Sequence, residues 1–491
     1  MMRFNIKMVF LSIAFLGILT VHAQKKKSDN VKPNVIIILM DDMGYADTKP
    51  YGSVGYETPN FDKLANQGMR FTHFYAAQAV CTASRAALLT GCYPTRIGLG
   101  HALAPWDTTA LNPKEETIAT LLKNEGYVTG MLGKWHLGSK TPFLPTHYGF
   151  DTFYGIPYSH DYWPVDYKGN PVAPGTPNDW RGNCPVLPIY EGDAQVGTIP
   201  TLEEASQLTT TLTEKAEQFI TKNKKKPFFL YLAHPLPHVP LAVSSKFKGK
   251  SGAGLYGDVI SEIDWSIGKI MESLKKNGID KNTLLIVTSD NGPWLSYGNH
   301  GGSTGGLRQG KGTAWDGGTR VQCYFSWPGK IATGSVSNQL MTNMDILPTI
   351  VAATKAHLPK EKIDGLDFLP LLTGKTNKSS RDVFYVYYDF NNLKIIRYKT
   401  WELVLPHSSL GYNEAIPGKD GTPGNVSQVK VPMALYDLIH DPGTIQDVQS
   451  QYPEIVEEIL KYAELAREDM GDALTKRVGK NNRQAAKMNN E

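Results

Sequence analysis

The chain has 491 residues, 41% hydrophobic and 20% charged, and its 51 Lys and Arg against 47 Asp and Glu leave a net charge of +4. That length exceeds one ordinary core and predicts a large domain with a smaller appendage. Nothing in a charge balance this even argues for nucleic acid or an anionic membrane as a partner, and neither is expected.

The first residues read as a targeting segment. Arg3 and Lys7 form a positive start, residues 8–21 are an apolar run, and Val21-His22-Ala23 offers small residues at a cleavage site. Such a run is too short for a membrane span, which takes about 20 apolar residues. Residues 1–23 are therefore expected to be a signal peptide, and the mature protein to be exported, periplasmic or secreted, with no membrane span. Lys25, Lys26 and Lys27 begin a solvated leader. The four cysteines, Cys81, Cys92, Cys184 and Cys323, are too few for disulfides to hold an exported fold of this size.

Residues 34–40 read NVIIILM, the continuous apolar run of a central strand buried on both faces. Further short strands are predicted at 127–132, 228–233 and 284–288, each after a helical pattern (114–125, 201–222 and 256–276). Strands alternating with helices predict an α/β fold with a mostly parallel sheet. After about residue 370 the texture changes to short strands at 383–388, 394–398, 401–405 and 435–438, then an amphipathic helix at 452–467. The expected organisation is a main domain over 30–370, an antiparallel α+β subdomain over 371–475, and a polar, basic tail over 476–491 without structure.

Each predicted strand of the main domain runs into a polar cluster. These are Asp41-Asp42, Gly133-Lys134-Trp135-His136, the stretch from His234 to His238, and Asp290-Asn291. Open α/β sheets bind ligands beyond the carboxyl ends of their strands, so four strands deliver polar residues to one place. Asp41, Asp42, Asp290 and Asn291 together offer three carboxylates and an amide oxygen, a hard-oxygen set suited to Ca²⁺ or Mg²⁺.

Cys81-Thr82-Ala83-Ser84-Arg85 opens a small-residue run that predicts a helix. A cysteine there sits at the positive end of the helix dipole, and Arg85 follows one turn later on the same face. The pattern C-x-A-x-R resembles the signature of the type I sulfatases, in which the cysteine is oxidised to formylglycine; the commoner form has proline in place of Ala83. Lys134 and His136 lie in G-K-W-H-L-G, His238 in H-x-P, and Lys311 in Gly310-Lys311-Gly312; all match elements of that family in the same order. Gly155-Ile156-Pro157-Tyr158-Ser159-His160-Asp161 and Trp315-Asp316-Gly317-Gly318 resemble the arylsulfatase A and N-acetylgalactosamine-6-sulfatase branch.

The resemblance implies an alkaline-phosphatase-like fold: a mixed, mostly parallel central sheet flanked by helices, with a C-terminal antiparallel subdomain. It implies a sulfuric ester hydrolase with formylglycine at position 81, made by a separate maturation enzyme, and one Ca²⁺ held by Asp41, Asp42, Asp290 and Asn291. Lys134, Lys311 and Arg85 are then expected to neutralise the sulfate, His238 to protonate the leaving group, and His136 to take a proton from residue 81. Ser159, His160 and His300 are candidate substrate contacts. Trp163, Trp180, Tyr158, Trp294 and Tyr297 stand in loops where aromatic faces stack on sugars or simply pack. The expected substrate is a sulfated glycan, such as galactose or N-acetylgalactosamine sulfate units, with aryl sulfates as surrogates.

Three other readings compete. Residues 305–312 resemble a phosphate-binding P-loop, but Gly312 stands where Ser or Thr is required. A phosphate or phosphonate monoester hydrolase on the same fold is a second alternative. A secreted glycan-binding protein without activity is the third, and it predicts loss of Cys81, Lys134 or His136; all three are present.

Overall fold

In Asn34–Met40 the side chains of Val35, Ile37 and Leu39 enter one hydrophobic core while those of Ile36, Ile38 and Met40 enter another. A strand without polar alternation is stable only when covered on both sides, and every residue of this one is buried. The computed structural model describes residues 31–488 apart from 178, 413 and 414. The expected signal peptide and its lysine leader lie outside the described residues.

The Asn34–Met40 strand lies inside an 11-stranded sheet. It pairs in parallel with Phe228–Ala233 on one side and Thr283–Ser289 on the other. Val128–Lys134 and Thr152–Ile156 continue the parallel run beyond Phe228–Ala233. Arg320–Ser326 and Met69–Tyr75 extend the other side in antiparallel sense. A hairpin of Leu187–Glu191 and Ala194–Ile199 closes one edge. This is the expected mixed, mostly parallel α/β sheet. The core on one face takes in helices Ile118–Asn124 and Ile346–Thr354, and that on the other takes in Leu208–Asn223 and Gly254–Lys276.

The predicted helices differ mainly at their starts. The 114–125 pattern is helical only from Ile118, where the Thr117 side chain accepts the Thr120 N–H as an N-cap. The 201–222 pattern breaks into Leu202–Ala205 and Leu208–Asn223.

The C-terminal strands Val383–Tyr388, Asn392–Tyr398, Trp401–Val404 and Ala434–Asp437 form a four-stranded antiparallel sheet. Helix Pro453–Met470 covers it through Val456, Ile459 and Ala463. The same core includes Tyr75, Ala77 and Ala87 of the main domain. Contacts run from Pro33 to the end as one unit, so the smaller sheet is a layer added to the larger body. Buried Arg397 pins the two parts, donating to the Tyr75 hydroxyl at 2.7 Å and pairing with Asp316 and Glu402.

The tail does not match the expectation of a segment without structure. Arg477–Val478 pairs with Gly471–Asp472, and Ala486–Lys487 pairs with Thr109–Ala110. Arg483 makes a two-pronged contact to Glu115 at 2.7 and 2.8 Å. Composition alone missed this because the ordering groups are main-chain partners and a carboxylate far away in sequence.

Candidate active site

Strand register gathers the site. Met40 is level with Ser289 across one parallel pair, and Leu39 with Ala233 across the other. The residues that follow, Asp41-Asp42, Asp290-Asn291 and His234 onward, therefore leave the sheet at one edge. Lys134 ends the next strand but one, where Gly133 is level with Ala233. Gly133 has φ +102, and a Cβ there would lie 1.9 Å from the Ala233 carbonyl oxygen, so only glycine fits. Asp42 and His136 also take left-handed backbone, at φ 63 and φ 60, a conformation that clusters at functional sites.

Helix Cys81–Thr90 points its N-terminus at this edge, with no side-chain cap at Val80. Cys81 Sγ lies 3.4 Å from Asp41 Oδ1 and 3.5 Å from Lys311 Nζ. Lys311 Nζ also reaches Asp42 Oδ2 at 2.8 Å, and His238 Nε2 stands 3.5 Å from the same oxygen. Lys134 pairs with Asp41 and donates to Ser159 Oγ at 2.9 Å. Arg85 donates to Asp290 Oδ2 at 3.0 Å and to the Lys134 carbonyl at 2.8 Å.

Three buried cations thus face three buried carboxylates. Burial raises the Asp41 carboxyl, but Lys134 and Arg85 outweigh it and hold the group well below the usual range. Burial, then the Asp41 charge, push Asp290 up to about 7. Burial and Asp41 push the Cys81 thiol far up, so as an unmodified cysteine it is a poor nucleophile at neutral pH. Asn291 Nδ2 donates to Asp42 Oδ1 at 2.7 Å, and Asn291 Oδ1 is buried without a hydrogen-bond partner. An orphaned buried amide oxygen beside three carboxylates makes a hard-oxygen donor set, which fits a divalent cation. Among the described residues, ligand atoms of Asp41, Asp42, Cys81 and His238 lie within 4.8 Å of one another. Asp290 is not part of that compact set; its Oδ2 accepts from Arg85 and its Oδ1 from the Asp42 N–H.

A cavity of about 210 Å³ opens over Cys81. His136, Ser159, His238 and Lys311 line it. Arg85 and Lys134 do not line it; both are fully buried and hold the carboxylates and Ser159 in place. His160 also lies behind the wall, its Nε2 against the Pro240 carbonyl at 3.2 Å and its ring packed on His238. His300 is half-buried in the short turn Leu295–His300 and is not part of the lining. Tyr158, Trp163 and Tyr297 are buried packing residues, whereas Trp294 does reach the cavity. Residue-by-residue reading missed Asp161, Tyr162, Tyr388 and Tyr412, all of which line it. Asp161 lay inside a quoted motif, but no sequence signal tied the last two, from the C-terminal layer, to the site.

The sulfatase family model matches residues 33–356. The chain is 36% identical to arylsulfatase A of Bos taurus over 90% of its length and 89% of that protein's. The chain belongs to the sulfatase family. It is also 36% identical to N-acetylgalactosamine-6-sulfatase of Mus musculus, covering 92% of this chain and 89% of that one. The crystal structure of the PsFucS1 sulfatase from Pseudoalteromonas sp. superposes with a TM-score of 0.79 at 30% identity, covering 88% and 89% of the two chains. This sulfatase is accordingly a sulfuric ester hydrolase, and its fold is the alkaline-phosphatase-like one of its structural neighbours.

The histidines of this sulfatase carry distinct proton arrangements. His136 Nε2 faces the Leu103 carbonyl at 2.8 Å, so that nitrogen bears the hydrogen. Burial and Lys134 hold the ring neutral, well below its usual range, which leaves His136 Nδ1 an unpartnered lone pair. His238 turns Nδ1 to the Val239 carbonyl and Nε2 toward Asp42.

Proposed function

We propose that this protein removes sulfate from sulfated carbohydrates, with formylglycine formed from Cys81 by a maturation enzyme and one Ca²⁺ held by Asp41, Asp42, Asp290 and Asn291. The observation that carries the reading is the setting of Cys81: a capless helix N-terminus, Lys311 at 3.5 Å and a cluster of carboxylates with an unpartnered amide oxygen alongside.

A bound divalent cation supplies positive charge that polarises the sulfate ester. A hydrated aldehyde at position 81 supplies an oxygen nucleophile and a second hydroxyl through which sulfate is finally released. The protein's own groups do the rest. Lys311 lines the cavity beside residue 81 and holds a sulfate oxygen. Lys134 fixes Asp41 and orients Ser159 toward the same anion. His238 Nε2 gives a proton to the departing sugar oxygen, which is otherwise a poor leaving group. His136 Nδ1, with its free lone pair, takes the proton from residue 81. Arg85 pairs with both Asp290 and Asp41 and keeps the two carboxylates in position.

Galactose or N-acetylgalactosamine sulfates are the substrate class we favour. A related protein named N-acetylgalactosamine-6-sulfatase supports this at 36% identity, and the unpartnered Asp161 Oδ1 offers a sugar hydroxyl an acceptor in the cavity. The signal-like start supports an exported enzyme acting on external glycans.

Mass spectrometry across the Cys81 peptide, on protein made with a formylglycine-generating enzyme, tests the nucleophile. Sulfate release from monosulfated galactose, N-acetylgalactosamine and N-acetylglucosamine tests the substrate. Aldehyde at position 81 with release from one of these sugars is the expected result. An unmodified thiol in protein that still releases sulfate would overturn the mechanism.

A further inference from the structure

Only two of the nine tryptophans are exposed, Trp106 at 55% and Trp180 at 44%. Both pack against one residue, Tyr162, at ring-centroid distances of 5.7 and 5.1 Å. Tyr162 is itself part of the wall of the catalytic cavity. A half-exposed tryptophan alone needs no explanation. Two that pack on a cavity-lining tyrosine, one edge-on at 88° and one tilted at 56°, make an exposed aromatic cluster beside the site.

The rings sit on pinned loops. The Leu103 N–H donates to Thr82 Oγ1 at 3.1 Å and its carbonyl accepts from His136. The Ala104 N–H donates to Asp107 at 2.7 Å, and Ser139 donates to the Pro105 carbonyl at 3.1 Å. On the other side, Asp179 accepts from the Arg181 N–H and guanidinium, and Arg181 stacks over Tyr167 at 4.4 Å. Aromatic surface held this way is pre-ordered for a ligand and loses little entropy on binding.

We propose that Trp106, Tyr162 and Trp180 form a carbohydrate-stacking subsite for the pyranose ring next to the sulfated unit. This rests on the glycan reading above. The cavity holds the sulfated ring, with Asp161, the residue before Tyr162, accepting from its hydroxyls, and the chain leaves across the three aromatic rings. The C–H faces of a sugar match exposed indole faces, while its hydroxyls stay in water. The enzyme therefore favours an oligosaccharide over a single sulfated sugar.

The test is calorimetric binding to the full-length, Ca²⁺-loaded Cys81→Ala protein, which cannot turn over. The probes are a monosulfated galactose and a galactose tetrasaccharide ending in that sulfated unit. The tetrasaccharide is expected to bind roughly three- to tenfold more tightly. Trp180→Ala and Trp106→Ala should each remove most of that gain while leaving monosaccharide affinity unchanged. With Cys81 retained, the same two variants should hydrolyse 4-nitrophenyl sulfate normally, which also reports correct folding. Equal affinity for the two sugars, or a gain that survives in the double variant, overturns the subsite. If neither sugar binds while 4-nitrophenyl sulfate is still hydrolysed, the glycan reading falls and the subsite with it.

Discussion

Asn291 Nδ2 donates to Asp42 Oδ1 at 2.7 Å across the ends of two neighbouring parallel strands, and this bond leaves Asn291 Oδ1 buried with no donor of its own. An amide oxygen left bare among three carboxylates is expected to meet a cation. Chelator treatment of the mature enzyme should abolish sulfate release, and added Ca²⁺ should restore it. Asp290→Ala and Asn291→Leu should lose bound Ca²⁺ by elemental analysis and reduce activity by roughly a hundredfold or more. An Asp290→Ala protein that stays active in chelator would show that the metal assignment is wrong.

Cys81→Ser should fold and bind Ca²⁺ normally, because the side chain is nearly isosteric and the helix start is unchanged. A serine hydroxyl can accept a sulfuryl group but lacks the second hydroxyl needed to expel it. Turnover is expected to stop after one event, with a sulfated serine visible by mass spectrometry in the peptide that spans position 81. Multiple turnovers at the normal rate would refute the formylglycine step.

The two cavity histidines should separate by leaving group. His238→Ala is expected to slow sugar sulfates by roughly 10²–10⁴-fold, yet affect 4-nitrophenyl sulfate far less, since that phenolate departs without a proton. His136→Ala should slow both substrates alike, because its proton comes from residue 81. Equal losses on both substrates in the His238 variant would remove it from the acid role.

Stability should fall on the acid side of neutrality through His234. This ring is fully buried beside Ser266, and burial lowers its pKa to about 4 from the usual 6.5. A histidine with a depressed folded pKa contributes stability above about 6.5 that is lost as pH falls toward 4, because only the unfolded chain takes up the proton there. The loss is on the order of 3 kcal/mol for this one group. His234→Asn should flatten the fall in thermal midpoint between pH 6.5 and 4 relative to the wild type. Parallel pH profiles would assign the acid sensitivity elsewhere.

The central strand, the helix after Cys81 and the C-terminal sheet were all legible in the chain, since each has its own periodicity or apolar run. So were Asp41, Asp42, Lys134, His136, His238, Asp290, Asn291 and Lys311, which follow strands or sit in recognisable motifs. His300 was not correctly placed, because its position after the Asp290-Asn291 turn does not say which way a loop of glycines travels. Tyr388 and Tyr412 were invisible as site residues, since they reach the cavity from a layer that lies far beyond Cys81 along the chain.

By itself, the sequence determined the fold class, the helix that starts at Cys81 and the strand ends that carry the polar groups. Those properties are written in local patterns: apolar runs, helix starts and short motifs. Only the tertiary structure decided that Arg85 and Lys134 hold carboxylates from behind rather than lining the cavity, that His160 backs His238, and that the tail pairs with Thr109–Ala110. It alone brought Trp106, Tyr162 and Trp180 to one rim. Each of these depends on strand register and on packing between distant segments, and no local pattern records which buried cation faces which carboxylate.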